Sequence, residues 1–192
     1  MKIDMPAKDD PSILLSSGNY FYFKRPRESN FDISDIAAGL SKICRFNGQC
    51  HSFYSVAQHC ILASQIVPEE HALAALLHDA AEAFIGDMVA PLKGLFPEYK
   101  ALEHEIEAVI FERFGIPTPL DPCIKEADLI LLKTEQRDLM SNRDAWSQLE
   151  NIHPLPETII PYALPRRAYF EYLTRYYEIK GVYKDVRPPV QR

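Results

Sequence analysis

The stretch that most constrains this chain is Leu73-Ala74-Ala75-Leu76-Leu77, which runs unbroken into His78-Asp79 and on to Glu82 and Gly86-Asp87. The apolar residues predict a buried helix. Burying an unpaired charge costs several kcal/mol or more, so a helix this apolar needs partners for His78, Asp79 and Glu82. A divalent cation is a single partner that suits an imidazole and a carboxylate together.

The rest of the chain reads as helix after helix. Residues 1–19 are polar and read as loop. The aromatic run Tyr20-Phe21-Tyr22-Phe23 predicts a short strand. Ile33, Ile36, Ala37, Leu40 and Ile43 share one face of a helix over 33–43. After the loop Arg45-Phe46-Asn47-Gly48-Gln49, Ser55 and Gln58 form a capping box opening a helix to about Val67 that carries His59. Pro68 suits the start of the helix leading to His78-Asp79, and residues 91–94 end the loop that follows. Pro97 opens a long helix to Phe114, closed by Gly115. Asp121-Pro122 opens another, with Ile124, Ala127, Leu131, Leu132 and Glu135 at helical spacing and Asp128 among them. Residues 141–164 read as a long loop of the kind that covers a site, and Pro165 to Tyr177 as a last helix. Strand alternation is nearly absent, so the fold class is all-α: one domain over 1–192, its core about 20–140 and a C-terminal loop and helix over 141–180.

A net charge of −6 argues against a nucleic-acid polymer or a membrane surface as partner, and no apolar run reaches membrane-spanning length. The N-terminus lacks an apolar signal core, and Cys44, Cys50, Cys60 and Cys123 make neither a zinc ribbon nor a disulfide scaffold. These features are those of a reduced, cytoplasmic protein. Cys60 reads as a small core residue. His51, His71, His104 and His153 read as surface. The tail Tyr169, Phe170, Tyr172, Tyr176 and Tyr177 fits packing or a homodimer contact better than a ligand box.

Three helices thus each offer metal-ligand types: His59, then His78-Asp79, then Asp128. Two imidazoles and two carboxylates leave positions open on an ion that takes five or six ligands, which suits Mn²⁺, Co²⁺, Ni²⁺ or Fe²⁺ better than a closed zinc site. Open positions admit water and a phosphate oxygen together. The bland alternative for Asp128 is a pairing with Lys125 or Arg137.

This arrangement resembles the HD-domain phosphohydrolase superfamily. His78-Asp79-Ala80-Ala81-Glu82, Gly86-Asp87 and Pro91-Leu92-Lys93, with Arg45-Phe46 ahead of Tyr54-Ser55-Val56-Ala57-Gln58-His59, are similar to its 5′-deoxynucleotidase branch, especially phage and prophage members. The resemblance covers about Tyr20 to Met140. It implies an HD-domain helical bundle with one divalent ion between helices (Mn, Co, Ni, Fe or Mg) on His59, His78, Asp79 and Asp128. It implies catalytic roles for Glu82 and Asp87, and substrate binding by Arg45, Phe46 and Lys93. Arg45 is then expected to grip phosphate with little part in stability. Glu82 is expected one helical turn after His78, on its face. Phe46 replaces a tryptophan common in that branch, which leaves base preference open. The implied activity is metal-dependent hydrolysis of deoxyribonucleoside 5′-monophosphates, small-molecule nucleotides, to nucleoside and phosphate. The rival readings are a deoxyribonucleoside triphosphate hydrolase of the same fold and a nucleotide-binding module without turnover.

Overall fold

A computed structural model describes residues 10–161 and 164–182. Residues 1–9, which hold half of the loop expected over 1–19, lie outside the described residues, as do 162–163 and 183–192. The described chain is predominantly helical, with one two-stranded antiparallel sheet, β1 (Ser12–Leu14) on β2 (Tyr20–Tyr22). β2 falls in the expected aromatic run. β1 escaped the reading because Ser12–Leu14 is too short to show alternation.

Helix α1 (Ile33–Leu40) starts at Asp32, whose side chain accepts from the Ser34 and Asp35 N–H groups. Helix α2 (Val56–Ile66) starts at the expected capping box: Ser55 Oγ accepts from Gln58 N–H, and Gln58 Oε1 accepts from Ser55 N–H. Both helices bury most of their length. Helix α6 (Pro97–Phe114) ends on Gly115 in the left-handed region, and α7 (Pro122–Leu139) begins at Asp121, which caps Cys123 N–H. Helix α8 (Pro165–Ile179) closes the described chain.

α2 lies at the centre, against α3 (Ala72–Leu77), α7 and α8. α1 packs on α8 and on the short α4 (Glu82–Ile85). Gly39 makes that last contact: a Cβ there would fall 2.7 Å from the Ala83 carbonyl oxygen. The hairpin joins the same core, with Phe21 stacked on Phe84 at 4.0 Å between ring centroids. Residues 91–94 were expected to end a loop; the first three of them fall instead in the one-turn helix α5 (Ala90–Lys93). The long segment after α7 is tied along that helix. Arg137 donates to the Leu155 and Glu157 carbonyls, and Leu155 N–H donates to Thr134 Oγ1. Among the described residues, no helix is long and apolar enough to cross a membrane.

The helix expected to run through His78-Asp79 stops short of them. α3 ends at Leu77, and the chain then closes tighter turns: Ala80 N–H to Leu77 O, Glu82 N–H to Asp79 O, Ala83 N–H to Ala80 O. Two side chains compete for the carbonyls that a continuing α-helix would use. His78 Nδ1 donates to Ala75 O at 2.7 Å, and Tyr172 Oη, from the last helix, donates to Leu76 O at 2.8 Å. With about three residues per turn, it is Asp79 rather than His78 that comes into line with Glu82.

Candidate metal centre

α2 contributes His59, fully buried; the tight turn contributes His78 and Asp79; α7 contributes Asp128. The four converge. His59 Nε2 is 3.3 Å from His78 Nε2, 3.4 Å from Asp128 Oδ1 and 3.7 Å from Asp79 Oδ2, and His78 Nε2 is 3.3 Å from Asp79 Oδ1. His59, His78 and Asp128 could hold a metal ion together, and so could Cys60, His78 and Asp79.

The hydrogen bonds behind the two imidazoles decide what they present to each other. His78 Nδ1 must carry its hydrogen, because the Ala75 carbonyl can only accept. His59 Nδ1 lies 2.7 Å from Glu135 Oε1, a buried carboxylate, so it too is the donor. With both Nδ1 atoms donating, each ring turns its Nε2 toward the other, with carboxylate oxygens of Asp79 and Asp128 alongside. Such a concentration of acceptors calls for a cation among them, a proton or a metal ion. A ring donating its far N–H to a carboxylate or a backbone carbonyl is the usual arrangement of a metal-bound histidine. The donor set fits a divalent ion that accepts nitrogen and oxygen together.

Without a metal ion, a proton on His59 serves as that cation. Burial and Arg45 pull the His59 imidazole down, but Glu135 and Asp128 outweigh them and hold it at about 9. Against the upward push of burial, His59, His78 and Lys125 hold Asp128 below the usual carboxylate range. Lys125 donates to Asp128 Oδ2 at 2.7 Å while Oδ1 faces His59, so the carboxylate serves both partners. Burial pushes the Cys60 thiol well up, which keeps it a protonated core side chain.

Glu82 is 6% exposed, and its Oε2 is buried without a hydrogen-bond partner among the described residues. Burial, then Asp79 and Asp87, push this carboxyl well above the usual range. Asp87 follows Gly86, whose φ of 85 is open to glycine at little cost. Tyr99 Oη donates to the Gly86 carbonyl at 2.8 Å and steadies the loop. Burial also pushes the Asp87 carboxyl up, against the pull of Arg45.

Arg45, expected to grip phosphate with little part in stability, is paired within the protein. It is 8% exposed, and its Nε and Nη2 donate to Glu135 Oε2 at 3.2 and 3.1 Å. It is thus part of a buried ion pair. Only Nη1, 3.6 Å from Asp79 Oδ2, faces the candidate ligands. Phe46 lies in the left-handed region, its ring 5.2 Å from the Arg45 guanidinium carbon. Lys93 donates to Glu103 at 2.6 Å, and its charge still reaches Glu82, Asp79 and Asp87. His71, read as surface, groups instead with Asp121 and Cys123 at the start of α7.

Glu135, placed by its spacing on the apolar face of α7, was given no role at the site by the sequence. It is fully buried and ties His59 to Arg45. Its one signal is spacing: seven residues after Asp128, it lies on the same helical face, inside an apolar stretch.

No family model matches the chain. Over 171 residues it is 46% identical to the uncharacterized protein YfdR of Escherichia coli (strain K12), an alignment spanning 88% of this chain and 95% of that protein. Over 160 residues it is 32% identical to an uncharacterized protein of Rhodobacter capsulatus, spanning 76% of this chain and 81% of that one. Identity at these levels over most of both chains places the protein in one family with Escherichia coli YfdR, to which it belongs.

Proposed function

We propose that this protein is a metal-dependent phosphohydrolase of the HD type, acting on deoxyribonucleoside 5′-monophosphates. The observation that carries the reading is the pair of imidazole Nε2 atoms 3.3 Å apart, each ring fixed by its far N–H, with Asp79 and Asp128 beside them. His59, His78, Asp79 and Asp128 would hold one divalent ion, which supplies Lewis acidity toward water and phosphate.

The protein's own groups account for the rest. Arg45 Nη1, beside Asp79, offers an N–H toward a phosphate oxygen while Nε and Nη2 stay on Glu135. Glu82 is a buried carboxyl with a raised proton affinity, suited to taking a proton from water and giving it to the leaving 5′-oxygen. Asp87 adds a second raised carboxyl at the edge of the same loop. Glu135 fixes the His59 ring. The partner is a small nucleotide, not a polymer.

The supply of cations favours the monophosphate. Arg45 is half committed, Lys93 is on Glu103, and Arg137 is turned to Asp138, Leu155 and Glu157. A triphosphate would need more positive charge at the site.

The test is phosphate release from deoxyribonucleoside mono-, di- and triphosphates, with and without Mn²⁺ or Co²⁺. Metal-dependent release of inorganic phosphate from the monophosphates is the expected result. Release of triphosphate or pyrophosphate would transfer the protein to the triphosphate hydrolases. Nucleotide binding with no turnover under any metal would make it a binding module.

A further inference from the structure

Cys44 and Cys50 stand at the two ends of the loop that carries Arg45. Their Sγ atoms are 3.8 Å apart, and Cys50 Sγ also donates to the Ser52 carbonyl at 3.0 Å. The neck of the loop is closed by backbone: Cys44 is bridged to Ser55, and Arg45 N–H donates to Tyr54 O at 2.9 Å. Phe46, Asn47 and Gly48 follow with φ of 58, 51 and 76. Three left-handed residues in succession, two of them with side chains, reverse the chain sharply. That reversal returns the second sulfur to the first. Both thiols are half-buried, open to a small reagent, whereas Cys60 is fully buried.

We propose that Cys44 and Cys50 are a modification site: a dithiol that a low-molecular-weight disulfide converts into an intramolecular cystine, clamping the loop that holds Arg45 in place. With glutathione disulfide the chemistry runs in two exchanges. The Cys44 thiolate attacks one sulfur, forms a mixed disulfide and releases one glutathione thiolate. Cys50 then gives up its proton, its sulfur attacks the Cys44 sulfur, and the second glutathione leaves. Two protein thiols are oxidised by two electrons, and one glutathione disulfide is reduced to two thiols that carry the two protons. Burial and the neighbouring Cys44 push the Cys50 thiol up to about 11, which fits Cys50 to the second, resolving step. The sulfurs must close from 3.8 Å to about 2.05 Å to form the bond.

The native loop geometry already joins the ends, so the cross-link mainly restricts the unfolded chain. In the folded protein it holds the reversal that sets Arg45 against Glu135 and Asp79. None of this depends on what the metal centre hydrolyses.

The experiment incubates the full-length protein with glutathione disulfide and maps its peptides without reduction. Trypsin cuts after Lys42 and Arg45, so a Cys44–Cys50 link appears as the peptide of residues 43–45 joined to the peptide that starts at Phe46. That linked pair is the expected product, reversed by dithiothreitol. In Cys50→Ser it should vanish and leave a stable glutathione adduct on Cys44, which excludes Cys60 as the partner. The His51 amide, bonded to Leu139 O, should exchange its hydrogen more slowly in the cross-linked protein. Free Cys44 and Cys50, separate adducts on each, a link surviving in Cys50→Ser, or unchanged exchange at His51 would overturn the proposal. These readouts use no substrate, so failure of the phosphohydrolase reading leaves them intact.

Discussion

Replacing Glu135 by glutamine tests how the centre is held. The carboxylate is fully buried and accepts three hydrogen bonds, from His59 Nδ1 at 2.7 Å and from Arg45 Nε and Nη2 at 3.2 and 3.1 Å. Glutamine keeps the size and loses the charge. One of its two ends is then an N–H group, which meets a donor whichever way the amide turns. The Arg45 cation stays buried with Asp79 as its nearest remaining counter-charge, at 3.6 Å. Breaking a buried pair in this way costs about 3–5 kcal/mol. Loss of the carboxylate behind a ligating histidine weakens metal binding by about 10–100-fold.

The pH dependence has a definite sign. In metal-free protein His59 is raised from 6.5 to about 9, so its contribution to stability is fully present below 6.5 and is lost as pH rises through 9. Without the Glu135 charge that loss should shrink. Urea unfolding of metal-free Glu135→Gln across this pH range, with Mn²⁺ titration by calorimetry, measures both effects. The double variant Arg45→Met with Glu135→Gln should be less destabilised than the sum of its parts, by about 0.5–3 kcal/mol, because no uncompensated charge remains. A Glu135→Gln protein with wild-type stability and wild-type Mn²⁺ affinity would refute the reasoning.

Asp128→Ala should lose the metal and the activity together, measured as metal content and phosphate release on one preparation; full metal occupancy would remove Asp128 from the ligands. Glu82→Gln should keep the metal but lose roughly 10²–10⁴-fold in kcat, the scale of a general acid or base. Since the raised Glu82 carboxyl costs stability as pH rises above its ordinary value of 4.5, the metal-free Glu82→Gln protein should also melt higher than wild type at neutral pH, and a lower melting temperature there would contradict the burial argument. Gly39→Ala puts a Cβ 2.7 Å from the Ala83 carbonyl oxygen and should destabilise by about 1–3 kcal/mol in urea unfolding, as overpacking does. An unchanged midpoint would mean that α1 and α4 separate freely.

The helices were legible in the sequence because their signals are local. A Ser55–Gln58 capping box, Pro97 with Gly115, and Asp121 before Pro122 act within one turn of chain, and α2, α6 and α7 begin or end where those residues stand. The ligand types His59, His78, Asp79 and Asp128 were legible too, since polar groups on apolar helices need partners wherever the helices go. Three features belonged to the tertiary structure alone. Glu135 looked like any acid on α7 until packing set it between His59 and Arg45, and that contact turned Arg45 from a free cation into a buried partner. The tightening at His78 depends in part on Tyr172, 96 residues beyond Leu76, reaching a carbonyl that no local pattern marks as taken. The meeting of Cys44 and Cys50 needed three left-handed residues in a row, a conformation whose cost only the surrounding contacts hold in place. Local energies chose the elements; contacts between residues far apart in sequence chose which charges face one another.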